Sequence, residues 1–518
     1  MKVLLITGLL AEDTLKQYAK ESEVETSVFA LNVPVAALLS IKQIAKALDK
    51  MSVREFDIIL VPGLIRGDTT TITKSTRTPT FKGPRYAADL PTVLDALERV
   101  KLSTVIPACE LLKEELRRKA LQELELVESN RDWLLKKPGN ILIGNLPVGK
   151  DFPMRVLAEI VDAALLPDHE IQRLAKHFVK MGADIIDVGM VVGESRPSDA
   201  KRSVQAVKEV ADVPVSIDTL NPDEIQQAVL AGADLILSVD AGNLEQIANF
   251  TADVAAVVIP TNQQEGCFPR KAEDRIRFLE EIMEKARALG MKQLMADLIL
   301  EPSNVLESMV AFRGFASRNP DVPLFVGISN VTELFDADSV GINALLARLS
   351  SEVNASMLLA TEKSSKAKGT VKEEAVAAKM MFLAKKRGSV PKDLGLDLLI
   401  LKDKRKIEER YDRTLERNIN SVVASDKLES VVQDEKGSFR ILLDRSNSNI
   451  VALHYTSAEL RKPVNIIKGK TAEGVFAKIA HLGLVTRIDH AAYLGNELAK
   501  AEIALKTGKQ YIQDFSLF

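Results

Sequence analysis

Two cysteines, five histidines and one tryptophan are all that 518 residues supply. Cys109 and Cys267 lie far apart, and neither sits in a Cys-X-X-Cys or Cys/His cluster. That argues against a disulfide framework or a structural zinc site and suits a reducing cytoplasm. No apolar run is long enough to span a bilayer, so no membrane partner is expected. Met1-Lys-Val-Leu-Leu-Ile-Thr-Gly8 is too short for a signal peptide and reads as a first strand. A net charge of −3 leaves no global footprint for nucleic acid or an anionic membrane, and only a local basic patch could bind an anionic ligand. The remaining composition, 46% hydrophobic and 27% charged, is that of an ordinary globular protein whose length calls for two or three domains.

What the chain has in quantity is short, nearly continuous apolar runs. Gly182-Ala-Asp-Ile-Ile-Asp187-Val-Gly189 recurs in variant form as Val213-Pro-Val-Ser-Ile-Asp218, Gly232-Ala-Asp-Leu-Ile-Leu-Ser238, Asp253–Ile259 and Asp321–Gly327. Runs of this kind mark strands of a parallel sheet buried on both faces. Eight strands are expected in the middle of the chain: Ile141–Gly144, Ile185–Val188, Val213–Ile217, Leu235–Val239, Val254–Ile259, Gln293–Asp297, Leu324–Ile328 and Met357–Thr361. With helical patterns between them they fit a (β/α)8 barrel, against the alternative of an open doubly wound sheet.

Three domains follow. Residues 1–138 read as an open α/β domain with strands Val3–Ile6, Val24–Leu31, Ile58–Val61 and Thr104–Ile106. Its polar loop, Gly67–Pro84, is either functional or mobile. Lys136-Lys-Pro-Gly139 reads as a hinge to the barrel at 139–390. Residues 391–518 form a small α+β domain: a charged run at 400–410, paired strands at Phe439–Leu443 and Asn449–Tyr455, and two closing helices. His490 and Tyr493 begin the last helix, where capping or packing is the expected role.

The carboxyl ends of the expected barrel strands present Asn145, Asp187, Asp218, Ser238 with Asp240, Asn262, Asp297, Asn330 and Glu362. Such ends carry the chemistry of a barrel. Any one residue alone is a helix cap; together, carboxylates and amides match the N–C–N edge of a flat polar heterocycle. Thr361-Glu-Lys-Ser-Ser-Lys-Ala-Lys-Gly369 follows strand eight, where barrels commonly hold phosphate. Lys363, Ser365, Lys366 and Lys368 have that chemistry, and a solvated loop is the plain alternative.

Gly182–Gly189, Gly193-Glu-Ser-Arg196-Pro, Ser216-Ile-Asp218-Thr and Gly232-Ala-Asp-Leu-Ile together resemble the pterin-binding barrels, which include dihydropteroate synthases and methyltetrahydrofolate methyltransferases. With outer domains on both sides, the chain is similar to archaeal dihydropteroate synthase-related proteins. The resemblance implies a role in making or using folate or tetrahydromethanopterin. It implies pterin contacts from Asp218, Asp297 and Asn330, with Asp187, Ser238 and Asn262 in support. Leu237-Ser238, Asp297–Pro302, Ser329-Asn330 and Ala360–Lys366 depart from the synthase pattern, whereas Gly327-Ile-Ser-Asn-Val331 is similar to the methyltransferase branch.

The resemblance implies a synthase first, a methyltransferase as the alternative and a non-catalytic binder third. A synthase would join a dihydropterin-methyl diphosphate to an arylamine. Arg196 would orient the second substrate, and the Lys363–Lys368 loop with Mg2+, for which Asn145 is the metal candidate, would stabilise the departing diphosphate. A methyltransferase would pass a methyl group from a tetrahydropterin to a corrinoid on a partner protein, since no corrinoid-binding motif is present. The third reading is a pterin-binding protein without chemistry. No tightly bound cofactor is expected; pterin is substrate, and a homodimer is implied by analogy.

Overall fold

A computed structural model describes residues 1–402, 422–424, 433–459 and 461–518. Most of the charged run at 400–410 lies outside the described residues. The chain divides into two units, one built on Met1–Leu398 and one that ends at Phe518.

The first unit opens with four parallel strands, β1 (Lys2–Gly8), β2 (Glu25–Leu31), β3 (Ile58–Val61) and β4 (Thr80–Lys82), in the order β2-β1-β3-β4. Alternate residues feed apolar layers on both faces: Leu4, Ile6, Ile59 and Val61 on one side, Val3, Leu5 and Leu60 on the other. The fourth strand is not at Thr104–Ile106 as the sequence suggests but inside the polar segment 67–84, which also holds a helix, Thr70–Thr76. Threonine supplies the reason. Its β-branched carbon suits extended backbone, and its hydroxyl can be satisfied internally. Thr69, Thr76, Thr78 and Thr80 are buried, and Thr69 Oγ1 donates to the Thr80 carbonyl.

Helix Ala108–Ser129 then packs Ala120 and Leu124 against Met380, Leu383 and Ala384 of the barrel helix Thr370–Lys386. An antiparallel hairpin follows, β5 (Asn140–Ile143) with β6 (Leu146–Gly149). The expected first barrel strand, Ile141–Gly144, is therefore the first arm of a plug. Ile143 and Val148 join Leu157, Ile185, Leu235, Val257, Met295, Phe325 and Met357 in the apolar filling of the barrel. The turn sits at the amino ends of the strands, where Gly144 faces Asp234 and Pro214.

The barrel itself closes through β7 (Arg155–Ile160), β8 (Ile185–Gly189), β9 (Val215–Asp218), β10 (Leu235–Val239), β11 (Ala255–Val258), β12 (Leu294–Ala296), β13 (Leu324–Val326) and β14 (Ala355–Ala360), all parallel. Inward residues form the filling, while Val156, Ala158, Ile186, Val188, Val215, Ile217 and Ile236 face the helices. The repeated Gly-Ala-Asp has a structural explanation. Gly182 (φ 109°) and Gly232 (φ 94°) end the preceding helices in the left-handed conformation. The Asp two residues later reaches back to the neighbouring strand: Asp184 accepts from the Val156 amide at 2.9 Å and Asp234 from the Val215 amide at 3.0 Å.

The second unit is a three-stranded antiparallel sheet, β15 (Ser438–Asp444), β16 (Asn449–Tyr455) and β17 (Asn465–Gly469), with helices Ala472–His481 and Ile488–Thr507. Its core joins Phe439, Ile441, Ile450, Val475, Leu494 and Leu498.

Candidate functional site

Strand alternation decides which polar groups reach the barrel interior. Leu157 and Ile185 point inward, so two residues on Glu159 and Asp187 do as well, and Ser216 donates its hydroxyl to Asp187 Oδ1. Glu159 pairs with Asp187 in register and Gly189 pairs with Asp218. Three adjacent strands thus deliver three carboxylates whose nearest oxygens lie within 4.8 Å of one another. Asp187 is fully buried, and its Oδ2 has no hydrogen-bond partner. Glu159 escapes the sequence reading because β7 is hidden behind the stronger-looking run at 141–144. The apolar stretch Val156-Leu-Ala-Glu-Ile160, one loop ahead of helix Asp168–Met181, is the signal that would have found it.

Burial makes ionisation of these groups costly. It raises Glu159 to about 8, helped by the charges of Asp218 and Asp162 and opposed by Lys363. Asp187 is raised by burial and then by Asp218 and Glu159. Asp218 is raised by burial. Across the mouth Asp297 is pushed up to about 7 by burial, against the opposing pull of the Ile299 amide and the Arg275 guanidinium. The Ile299 amide donates to Asp297 Oδ1 at 2.8 Å.

Asn330 lies on the other side of the mouth. It lines a cavity of about 370 Å³ with Ile299, Leu300, Pro302, Ser329, Leu334 and Thr361. Glu301 and Glu333 complete the lining, and no lysine or arginine is part of it. Glu333 is spent on the loop after β14, accepting from Thr361 Oγ1 and the Lys363 and Ser364 amides.

The remaining candidates are placed as follows. Ser238 ends β10, and its carbonyl accepts from the Asn243 side chain. Asn262 is folded into its own turn, where Oδ1 accepts from the Glu265 amide and faces Gly242. Arg196 pairs with Glu194 at 2.6 Å and Asp199 at 3.4 Å. In the loop after strand eight, Lys363 binds Asp162 at 3.0 Å, Lys366 binds Asp336 at 2.8 Å, and Lys368 donates to the Glu362 carbonyl at 2.7 Å. Ser365 opens a short 3-10 turn, Ser365–Ala367. Glu362 caps the following helix through the Val371 amide. Asn145 is not at the mouth at all: it occupies the exposed hairpin turn at the opposite end, its carbonyl bonded to Arg131. It cannot share a metal ion with the mouth. The oxygen donors that fit a hard divalent cation are Glu159, Asp187 and Asp218.

The Pterin binding enzyme family matches residues 163–404, the PterinBD-DUF4346 family matches 433–514, and a family of unknown function, DUF6513, matches 1–85. An uncharacterized protein of Methanocaldococcus jannaschii is 42% identical over 100% of this chain and 99% of its own. A dihydropteroate synthase of Clostridium beijerinckii is 31% identical over 150 residues, 26% of this chain and 54% of that one. Among solved structures, the Yersinia pestis dihydropteroate synthase with a sulfonamide drug complex is 18% identical, covering 48% of this chain and all of that one at a TM-score of 0.39. Family match, barrel and a relative that shares the full length all coincide: the chain belongs to the pterin-binding enzymes related to dihydropteroate synthase, in a branch it shares with an archaeal protein.

Proposed function

We propose that the barrel mouth binds a reduced pterin and that the chain is a methyl-tetrahydropterin methyltransferase, its acceptor carried by a corrinoid partner. The observation that carries this reading is the charge of the mouth. Four inward carboxyl groups converge there, all raised by burial, while each lysine of the loop after strand eight is engaged by an acidic side chain or a carbonyl. Asp218 and Asp297, when ionised, accept from the amino and ring N–H groups of a pterin, and Asn330 both donates and accepts. When the N5–methyl bond breaks, the methyl group goes to the nucleophile and the electron pair stays on N5. A carboxyl group that retains its proton near neutral pH can hydrogen-bond or protonate that nitrogen. A departing diphosphate, by contrast, would meet carboxylates before cations.

A synthase is the second reading, favoured by the three-carboxylate donor set. Mg2+ held by Glu159, Asp187 and Asp218 would supply the positive charge that a diphosphate requires. One experiment separates the two. Purified protein is offered 5-methyltetrahydrofolate with a corrinoid protein, and separately a dihydropterin-methyl diphosphate with an arylamine and Mg2+. Methyl transfer that persists in chelator supports the first reading; Mg2+-dependent diphosphate release replaces it with the second. Binding of neither pterin refutes both.

A further inference from the structure

Arg275, on helix Ala272–Ala288, is 1% exposed, and its guanidinium serves three segments at once. Nε donates to the Pro269 carbonyl at 3.0 Å, in the loop after β11. Nη1 donates to the carbonyls of Leu298 at 3.1 Å and Ile299 at 2.8 Å, in the loop after β12, and to Ser308 Oγ at 3.2 Å on the next helix. Nη2 pairs with Glu301 at 2.7 Å. A planar fork spans these segments at once, with the two N–H groups of Nη1 shared among three acceptors and Nη2 facing Glu301 as an ion pair, and a point-like ammonium cannot.

The loop it grips is strained. Ile299 has φ +64°, a left-handed conformation that is a genuine outlier for a β-branched residue. In the same turn the Ile299 amide donates to Asp297 Oδ1. The turn also builds a wall of the 370 Å³ cavity from Ile299, Leu300 and Pro302.

We infer that Arg275 is a positioning residue of the pterin site: it holds the Ile299 turn in place, and the turn orients Asp297. The inference rests on the pterin reading above, yet its structural half stands apart from it. The charged groups that act on Asp297 are Arg275 itself and Asp218 across the mouth.

Calorimetry with 5-methyltetrahydrofolate tests it. Arg275→Lys is expected to weaken binding at least tenfold. In an Ile299→Gly background, where glycine adopts the left-handed turn unaided, the same change should cost less than threefold. Glu301→Gln, which leaves the arginine in place without its ion-pair partner, should weaken binding about threefold with an unchanged near-ultraviolet circular dichroism spectrum. Folded Arg275→Lys protein with parental affinity overturns the inference, as does an equal loss in both backgrounds. Should Arg275→Lys fail to fold, the Glu301→Gln result decides alone, and parental affinity there overturns the inference. If the parent binds no pterin, the functional reading fails first. Carbon-13 titration of the Asp297 carboxyl then reads the structural half: Arg275→Met should move its midpoint upward by half a pH unit or more, and an unmoved midpoint refutes it.

Discussion

The Glu159 carboxylate rests against the α-carbon of Gly189, so close that a β-carbon there would stand 2.4 Å from Oε1. The glycine leaves space at the end of β8 through which a side chain from β7 reaches Asp187 and Asp218. Gly189→Ala therefore displaces Glu159 rather than straining the backbone. We expect pterin affinity to fall several-fold with under about 1 kcal/mol change in stability. Titration calorimetry beside thermal melting checks both, and Glu159→Gln at unchanged geometry should give a comparable loss.

On the proposed pterin reading, Asp297 should give binding a pH dependence of definite sign. It accepts from the ligand only when ionised, and burial holds its midpoint at about 7. Affinity is expected to rise with pH through that value, by up to about tenfold per unit on the acid side. Asp297→Asn should bind weakly and without this slope. Binding isotherms between pH 5.5 and 8.5 read the effect.

The same group makes stability depend on pH in the opposite direction. Its folded midpoint lies above the ordinary 3.8, so the folded state retains a proton that the unfolded chain has released. Its stability contribution is complete below about 3.8 and is lost as pH rises through about 7. The raised carboxyls of Glu159 and Asp218 add to the decline. Asp297→Asn should flatten the fall, worth on the order of 4 kcal/mol by the linkage relation. Denaturant unfolding across pH 4 to 8, followed through the barrel unit, is the measurement.

Lys366 contributes little to ligand binding, because its ammonium already faces Asp336 at 2.8 Å. Lys366→Ala is expected to leave pterin and diphosphate affinity within twofold of the parent. A larger loss, read by calorimetry with inorganic diphosphate, would return this loop to the anion-binding role its composition suggests.

In the second unit, buried Asp434 accepts from the amides of Lys436, Thr486 and Arg487, from the Thr486 hydroxyl, and from His490 Nδ1. Although burial opposes it, these donors hold the carboxyl far below the aspartate range. Its contribution is therefore present above pH 3.8 and lost as pH falls below it. Asp434→Ala should destabilise this unit by about 2–3 kcal/mol, the cost of orphaning buried donors. The signal is loss of amide protection along β15 and β16.

The sequence made the barrel legible through its apolar runs, and seven of the eight strands fall where those runs predict. The first does not. Hairpin arm and barrel strand are both short and apolar, and what separates them is pairing direction, which periodicity does not carry. That single displacement hid Glu159 and put Asn145 among the mouth residues. Asp187, Asp218 and Asp297 were readable because each lies in or directly after a strand already recognised. Arg275 was not, since nothing in an arginine of a helix's first turn tells that two loops and the next helix will close around it. The threonine-rich segment 67–84 misled for a related reason: polar composition resembles a loop until its hydroxyls find partners inside the fold.

The β5–β6 hairpin closes the amino end of a barrel whose interior is already filled with side chains. Ile143 and Val148 thicken that apolar filling, so among the described residues Glu159, Asp218 and Asp297 are approached from the rim above them. Under the proposed function, pterin, acceptor and product would all use this rim, and whichever enters first would govern the approach of the next. Exchange at this rim would then set the order in which the ligands come and go.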